Sequence, residues 1–129
     1  MEEFLIEVKN KIAKNLSPDK YIVCGNSDYK IKFLFDEEWN DLIVKTALFT
    51  FNEQTIPVVF SGNVCDVPVI NNTRLLAVGI KSGDLKTTTP VYMNCKISIS
   101  DISQFIQPPS KDVYDQIIEL LNKNMILLI

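Results

Sequence analysis

The stretch Tyr29-Lys30-Ile31-Lys32-Phe33-Leu34-Phe35 decides the fold class of this chain. Its odd-numbered positions are all aromatic or aliphatic, whereas its even-numbered positions carry two lysines and one leucine. Successive side chains of a β-strand point to opposite faces, so this pattern places one apolar face on a core and leaves the other face wet. The stretch therefore predicts a half-buried strand.

Other parts of the chain repeat this alternation. Ala47, Phe49 and Phe51 alternate with more polar neighbours, and the same pattern predicts one long strand over Val91–Ile99. Shorter strand candidates are Leu5–Lys9, Lys20–Cys24, Pro57–Phe60, Val64–Val69 and Leu75–Ile80. These runs together predict about eight strands of an antiparallel, mainly β protein.

Turn residues separate the predicted strands. Gly25-Asn26-Ser27-Asp28 and Ser82-Gly83-Asp84 break the pattern, and Ser61-Gly62-Asn63 predicts a compact hairpin loop. Glycine and asparagine tolerate the positive φ that tight turns require. The regular spacing of short strands predicts an antiparallel β-sandwich over residues 1–106, and Trp39 is expected to cover its core.

The C-terminal residues change to a helical period. Residues 107–110 (Gln-Pro-Pro-Ser) predict a stiff linker, and Ser110 is a good N-cap for a helix over residues 111–129. The helix has two neighbouring apolar seams. One contains Val113, Ile117, Leu120, Asn124 and Leu127, and the other contains Tyr114, Ile118, Leu121, Met125 and Leu128.

The broad apolar face of this helix has two interpretations. It packs back on its own sandwich, or it binds other copies of the chain. We favour self-association, and a trimer over a dimer, because two adjoining seams make a face wider than a two-stranded coil requires. The predicted oligomer interface consists of Val113, Tyr114, Ile117, Ile118, Leu120, Leu121, Asn124, Met125 and Leu128.

The composition argues against several classes of function. The net charge is −3, Arg74 is the one arginine among 13 basic residues, and no basic block stands out, so neither nucleic acid nor a membrane is expected as a partner. The chain contains no histidine, which excludes Ser-His-Asp and Cys-His catalysis and imidazole metal sites. A hydrolase that uses acidic residues alone is the weakest alternative.

The remaining reactive side chains favour structural roles. Cys24, Cys65 and Cys95 are dispersed and form no CxxC pair, so we predict free, buried thiols. Asp36, Glu37, Glu38 and Asp41 match no metal-binding loop, and we predict a solvated turn there. Thr87-Thr88-Thr89-Pro90 predicts the start of an edge strand rather than a sugar contact. We therefore expect no enzyme activity, no metal and no cofactor.

Several motifs also occur in an order that resembles a known family. They are Val23-Cys24-Gly25-Asn26-Ser27-Asp28-Tyr29, an acidic turn with Trp39, Lys45-Thr46-Ala47, Phe60-Ser61-Gly62-Asn63-Val64-Cys65-Asp66-Val67-Pro68-Val69, Val78-Gly79-Ile80, Gly83-Asp84-Leu85-Lys86-Thr87-Thr88-Thr89-Pro90, Cys95-Lys96 and Asp112-Val113-Tyr114. From about Tyr21 to Leu121, this order resembles the N-terminal domain of upper baseplate and receptor-binding (tail fibre) proteins. Such proteins occur in phages of Gram-positive bacteria, and related ones in prophages and tail-like bacteriocins.

The resemblance implies a structural role in a virion or phage-tail-like particle, after synthesis in the host cytoplasm. It implies that an Ig-like sandwich docks on baseplate, tail or capsid proteins and that the following helix bundles the chains into trimers. The sequence stops at Ile129 without a host-recognising module, so it is either a fragment or a short form that has become a connector or decoration protein. Attachment is therefore expected, and receptor binding is not. The alternatives are a capsid decoration or head-fibre protein and a carbohydrate-binding adhesin module.

Overall fold

A computed structural model of the chain describes residues 2–103, 115, 116 and 118–122. Strands dominate this part of the chain, with one 3₁₀ turn at Glu37–Trp39 and a short helix α1 (Ile99–Ser103). The strands of the described residues are β1 (Glu2–Lys9), β2 (Ile12–Asn15), β3 (Tyr21–Val23), β4 (Tyr29–Phe35), β5 (Val44–Phe51), β6 (Gln54–Ser61), β7 (Val64–Asp66), β8 (Leu75–Ser82), β9 (Lys86–Thr87) and β10 (Val91–Lys96).

These strands form two sheets around one core. The small sheet has the order β2-β1-β4-β7, and the large sheet has the order β3-β10-β8-β5-β6, with β9 paired to β8. Buried side chains of both sheets belong to a single hydrophobic cluster. The architecture is therefore mainly β and sandwich-like, as the alternation predicts.

The predicted inward residues do line this core. Phe33 on β4 stacks on Phe60 of β6 with 5.5 Å between ring centroids, which joins the two sheets. Phe49 and Met93 are buried on the large sheet, and Trp39 is 1% exposed. The role of Trp39 as a cover for the core is confirmed.

Two tight hairpins hold the sheet edges in register. Lys9 pairs with Ile12 across the turn Asn10-Lys11, and Phe51 pairs with Gln54 across Asn52-Glu53. All four turn residues have positive φ, as a two-residue turn of type I′ requires. Neither turn contains glycine, so neither turn was predicted from the sequence, and strand β2 was not predicted either.

The antiparallel prediction is wrong for two strand pairs. β1 runs parallel to β4, with Glu2 opposite Tyr29, and β3 runs parallel to β10, with Asn94 opposite Tyr21. The connections between these partners pass through other strands, so no local turn sets their direction. Both sheets are therefore mixed.

Ser61-Gly62-Asn63 does not form the predicted hairpin. β6 belongs to the large sheet and β7 to the small one, so this turn carries the chain across the sandwich. The Asn63 carbonyl then accepts a hydrogen bond from the Phe33 N–H at 2.7 Å. β7 also ends at Asp66, short of the predicted Val69; Pro68, which follows, has no N–H for a ladder hydrogen bond.

The predicted strand Val91–Ile99 ends early, at Lys96. Ser98 and Asp101 then form a reciprocal cap: the Asp101 N–H donates to Ser98 Oγ at 3.2 Å, and the Ser98 N–H donates to Asp101 Oδ2 at 3.0 Å. Hydrogen bonds, first of all from the Ser98 backbone, lower the pKa of Asp101. This capping box starts α1 and overrides the alternation of Ile97 and Ile99.

The C-terminal part of the fold is described only in part. Residues 115, 116 and 118–122 are helical, within the predicted helix 111–129. The predicted linker 107–110 lies outside the described residues, so the division of the chain into sandwich, linker and helix stays a prediction. Within the described residues, no helix combines the length and hydrophobicity that a membrane span requires.

Candidate functional site

The outer surface of the large sheet is the strongest candidate for a binding surface. Its side chains point away from the core because they alternate with buried residues and pair with one another across the strands. We call it the large-sheet face. It consists of Tyr21, Val23, Val44, Thr46, Leu48, Thr50, Thr55, Pro57, Val59, Ser61, Leu75, Ala77, Gly79, Lys81, Tyr92, Asn94 and Lys96.

The large-sheet face exposes several large apolar side chains to water. Val59 is 67% exposed, Tyr92 56% and Leu75 50%. Lys81 and Lys96 carry its charges, and none of its residues is acidic. A contiguous exposed apolar surface of this kind usually marks a site of interaction.

A cavity of about 190 Å³ lies within the large-sheet face at Gly79. Leu48 faces Gly79 across the strand pair, and Thr88 and Pro90 complete one side of the cavity. A Cβ atom at Gly79 would lie 3.7 Å from Thr88 Oγ1, an ordinary contact distance. The missing side chain thus leaves a recess for an apolar group.

The threonines beside this recess are engaged within the fold. The Ile80 N–H donates to Thr88 Oγ1 at 3.0 Å, and the Ala13 N–H donates to Thr89 Oγ1 at 3.0 Å. Thr89 thereby links the β10 side of the large sheet to β2 of the small sheet. Thr87 ends β9, and β10 begins at Val91 directly after Pro90, as a strand entry requires, but β10 lies between β3 and β8 and is not an edge strand.

Two exposed tyrosines lie on neighbouring strands of the same face. Tyr21 on β3 is 43% exposed, and Lys96 places its Nζ 4.0 Å from the Tyr21 ring centroid. Tyr92 is on β10, which pairs with β3. The face therefore presents aromatic surface with a cation beside it.

The outer surface of the small sheet has the opposite character. This small-sheet face consists of Glu3, Leu5, Glu7, Lys9, Ile12, Lys14, Lys30, Lys32, Leu34, Val64 and Asp66. Lys30 lies opposite Glu3 on one side and Asp66 on the other, and its Nζ is 2.7 Å from Asp66 Oδ1. Opposite charges across strands satisfy one another in contact with water.

Two acidic side chains around the 3₁₀ turn, those of Asp36 and Glu38, have partners within the fold. Glu38 Oε1 accepts from Lys11 Nζ at 2.8 Å and from Lys86 Nζ at 3.2 Å. The hydrogen bond from Lys11 is the main reason why the pKa of Glu38 is lowered. Asp36 Oδ2 accepts from the Asn10 N–H at 2.9 Å. Across the described residues, no cluster of three or more His, Cys, Asp or Glu is arranged to hold a metal ion.

The three cysteines are buried and unpaired, which confirms the prediction. Burial raises the pKa of the Cys65 thiol and of the Cys95 thiol to about 12. A thiol with so high a pKa is almost entirely protonated at neutral pH, and the protonated form is a poor nucleophile. The three cysteine side chains fill the core.

A second cavity, of about 330 Å³, lies at the corner between the 3₁₀ turn and β5. Its lining includes Phe35, Trp39, Ile43, Lys45 and Gly62. Lys45 is 5% exposed, and burial lowers its pKa. Lys45 was not predicted as a site from the sequence, although it lies two positions before Ala47 in the inward series of β5.

The predicted oligomer interface is described only in part. Ile118, Leu120 and Leu121 lie in the helical residues and are 39%, 61% and 54% exposed, respectively. The other predicted interface residues lie outside the described residues: Val113, Tyr114, Ile117, Asn124, Met125 and Leu128. Self-association through this segment stays a prediction.

Comparisons of the chain with protein-family models, with curated proteins and with solved structures find no match.

Proposed function

We propose that this chain is a structural protein of a phage or phage-tail-like particle. An Ig-like sandwich attaches it to another particle protein through the large-sheet face, and the C-terminal helix joins copies of the chain. The proposal rests on a difference between the two outer surfaces. The large-sheet face is apolar, whereas the small-sheet face carries side chains of both charges on neighbouring strands. An apolar face with a recess suits a permanent protein contact.

The exposed residues of the C-terminal helix support the second half of the proposal. Ile118, Leu120 and Leu121 present apolar surface to water in a single chain. Burial of one such side chain is worth roughly 1.5–3 kcal/mol, so several of them per chain offset the entropy cost of association. A trimer buries the two adjoining seams more completely than a dimer does.

The attachment is tested on particles from the cells that produce this chain. Particles purified by density-gradient centrifugation should contain the chain in a fixed ratio to the tail proteins, measured by quantitative mass spectrometry. Antibody labelling in electron micrographs should then place it on the baseplate or tail, or instead on the capsid, as the decoration or head-fibre alternative expects. Particles free of the chain would contradict the proposal.

Self-association is tested by changing Ile117 and Leu121 together to serine. The unmodified chain should have a mass in light scattering that is a multiple of 14.7 kDa, and the variant should fall to 14.7 kDa. The β signal in circular dichroism should stay unchanged in the variant. A monomeric unmodified chain at high micromolar concentration would refute self-association, and loss of the β signal would place the helix in the core of the sandwich.

The exposed tyrosines favour one alternative, a carbohydrate-binding module. Tyr21 and Tyr92 offer flat aromatic surface of the kind on which sugar rings stack. Titration with cell-wall polysaccharide separates the two functions: saturable binding that Tyr92→Ala abolishes would favour the adhesin module over the attachment protein.

A further inference from the structure

Among the residues that the structure describes, Lys45 is a buried cation without an anionic partner. Its Nζ donates to the Gly62 carbonyl at 3.2 Å and lies 4.9 Å from the Phe35 ring centroid. None of the ion pairs among the described residues includes Lys45. Removing an ammonium group from water is costly unless a counter-charge compensates it, and here a carbonyl and an aromatic face are its partners.

The ammonium group lies beside the cavity of about 330 Å³. Phe35 and Gly62, which contact Nζ, both line this cavity together with Lys45 itself. Trp39 and Leu42 contribute further apolar wall, and Ile43, which is 76% exposed, stands at the rim. Asn40 and Asn63 also line it, so the cavity combines one positive charge with both polar and apolar walls and an accessible opening.

We propose that this cavity is a binding site for a carboxylate, presented as an Asp or Glu side chain by the particle protein to which the sandwich attaches. A carboxylate supplies the counter-charge that Lys45 lacks, and the ammonium retains donors beyond the one given to Gly62. Phe35 and Leu42 then contact the methylene groups that carry the carboxylate. The partner assignment rests on the proposed function, whereas carboxylate binding itself does not.

The carboxylate site is tested first on the isolated chain with acetate as the probe. Trp39 is the one tryptophan of the chain, so its single indole N–H signal in NMR spectra reports on this cavity. Acetate should shift that signal saturably, and acetamide, its neutral analogue, should not. Absence of a saturable acetate shift would overturn the site and leave the attachment proposal intact.

Two variants connect the effect to Lys45. Lys45→Met keeps an unbranched side chain that is one heavy atom shorter and removes the charge, so acetate affinity should fall about tenfold or more. Ile43 is exposed, so Ile43→Glu leaves the core untouched and places a competing carboxylate at the rim. This variant should bind acetate more weakly while its β signal in circular dichroism stays unchanged. Lys32→Met on the small-sheet face is the matched control. Equal acetate affinity in all three variants would refute the assignment to Lys45.

Particle incorporation then identifies the source of the carboxylate. If the partner protein supplies it, Lys45→Met should enter particles about tenfold less than the unmodified chain, and Lys32→Met should enter normally. Full incorporation of Lys45→Met, together with lost acetate binding, would overturn the partner assignment in favour of a small carboxylate solute. If the unmodified chain is absent from particles, the proposed function fails, but the acetate titration still decides the site.

Discussion

The two sheets share one core but differ on their outer surfaces. Their inner faces are built alike: Phe33 in the small sheet and Phe49 in the large sheet are both fully buried. Outside, the small sheet pairs Lys30 with Asp66, whereas the large sheet exposes Val59 and Tyr92. Folding requires only the inner faces, so the apolar outer surface of the large sheet calls for an explanation in terms of binding.

The largest effect on incorporation into particles is expected when charges are placed on the apolar large-sheet face. Val59→Glu combined with Tyr92→Glu places two carboxylates on the large-sheet face, at positions that already meet water. Incorporation into particles should fall at least about tenfold, since a charge buried in an interface without a partner is costly. The measurement is the amount of chain per purified particle.

The matched control carries the same change on the other sheet. Ile12 and Leu34 are 59% and 42% exposed on the small-sheet face. Ile12→Glu combined with Leu34→Glu should leave incorporation unchanged. An equal loss in both double variants would show that added charge acts regardless of its position, and the distinction between the two faces would lose its functional meaning.

A smaller effect is expected from filling the recess at Gly79. Gly79→Val replaces a residue that weakens a strand by a β-branched one that favours it, so the free energy of unfolding should rise by about 0.5–1 kcal/mol. Incorporation should nevertheless fall, because the recess is closed. Denaturant unfolding and particle content measure the two effects. A variant that is more stable and still fully incorporated would remove the recess from the binding surface.

The smallest effect is expected from the charge pair on the small-sheet face. Lys30→Met breaks its contact with Asp66, and the free energy of unfolding should change by less than about 1 kcal/mol, since exposed ion pairs contribute little. The difference between variant and unmodified chain should shrink further in high salt. A loss of several kcal/mol in urea unfolding would mean that the small-sheet face is structurally essential.

Local patterns in the sequence were sufficient for much of the fold. Tyr29, Ile31 and Phe33 are buried as their alternation predicts, and Cys95 is a buried free thiol. The start of α1 was also present in the sequence, as Ser98 and Asp101 at capping-box spacing, but the alternation that continues to Ile99 concealed it. In each case the information lies within a few residues, so it can be read before the chain is folded.

The candidate surfaces could be predicted less well. Leu48 and Gly79 belong to different strands, and only their pairing brings them to one recess. The large-sheet face is likewise a property of five neighbouring strands, so no single stretch of sequence displays it. Of the predicted oligomer interface, Ile118, Leu120 and Leu121 are exposed in helical residues, and self-association through them stays a prediction.

The sequence by itself determined which side of each strand is buried, because side chains alternate with a period of two along any strand. Tertiary structure alone decided which strands are neighbours and in which direction they run. The parallel pairing of β1 with β4 follows from closing one core between two sheets, and no turn residue specifies it. The position of Lys45 shows both levels. Its place in the alternation of β5 turns its side chain inward. Its charge lies beside a cavity only because β5 meets Phe35 and the turn at Gly62, and these contacts come from distant parts of the chain.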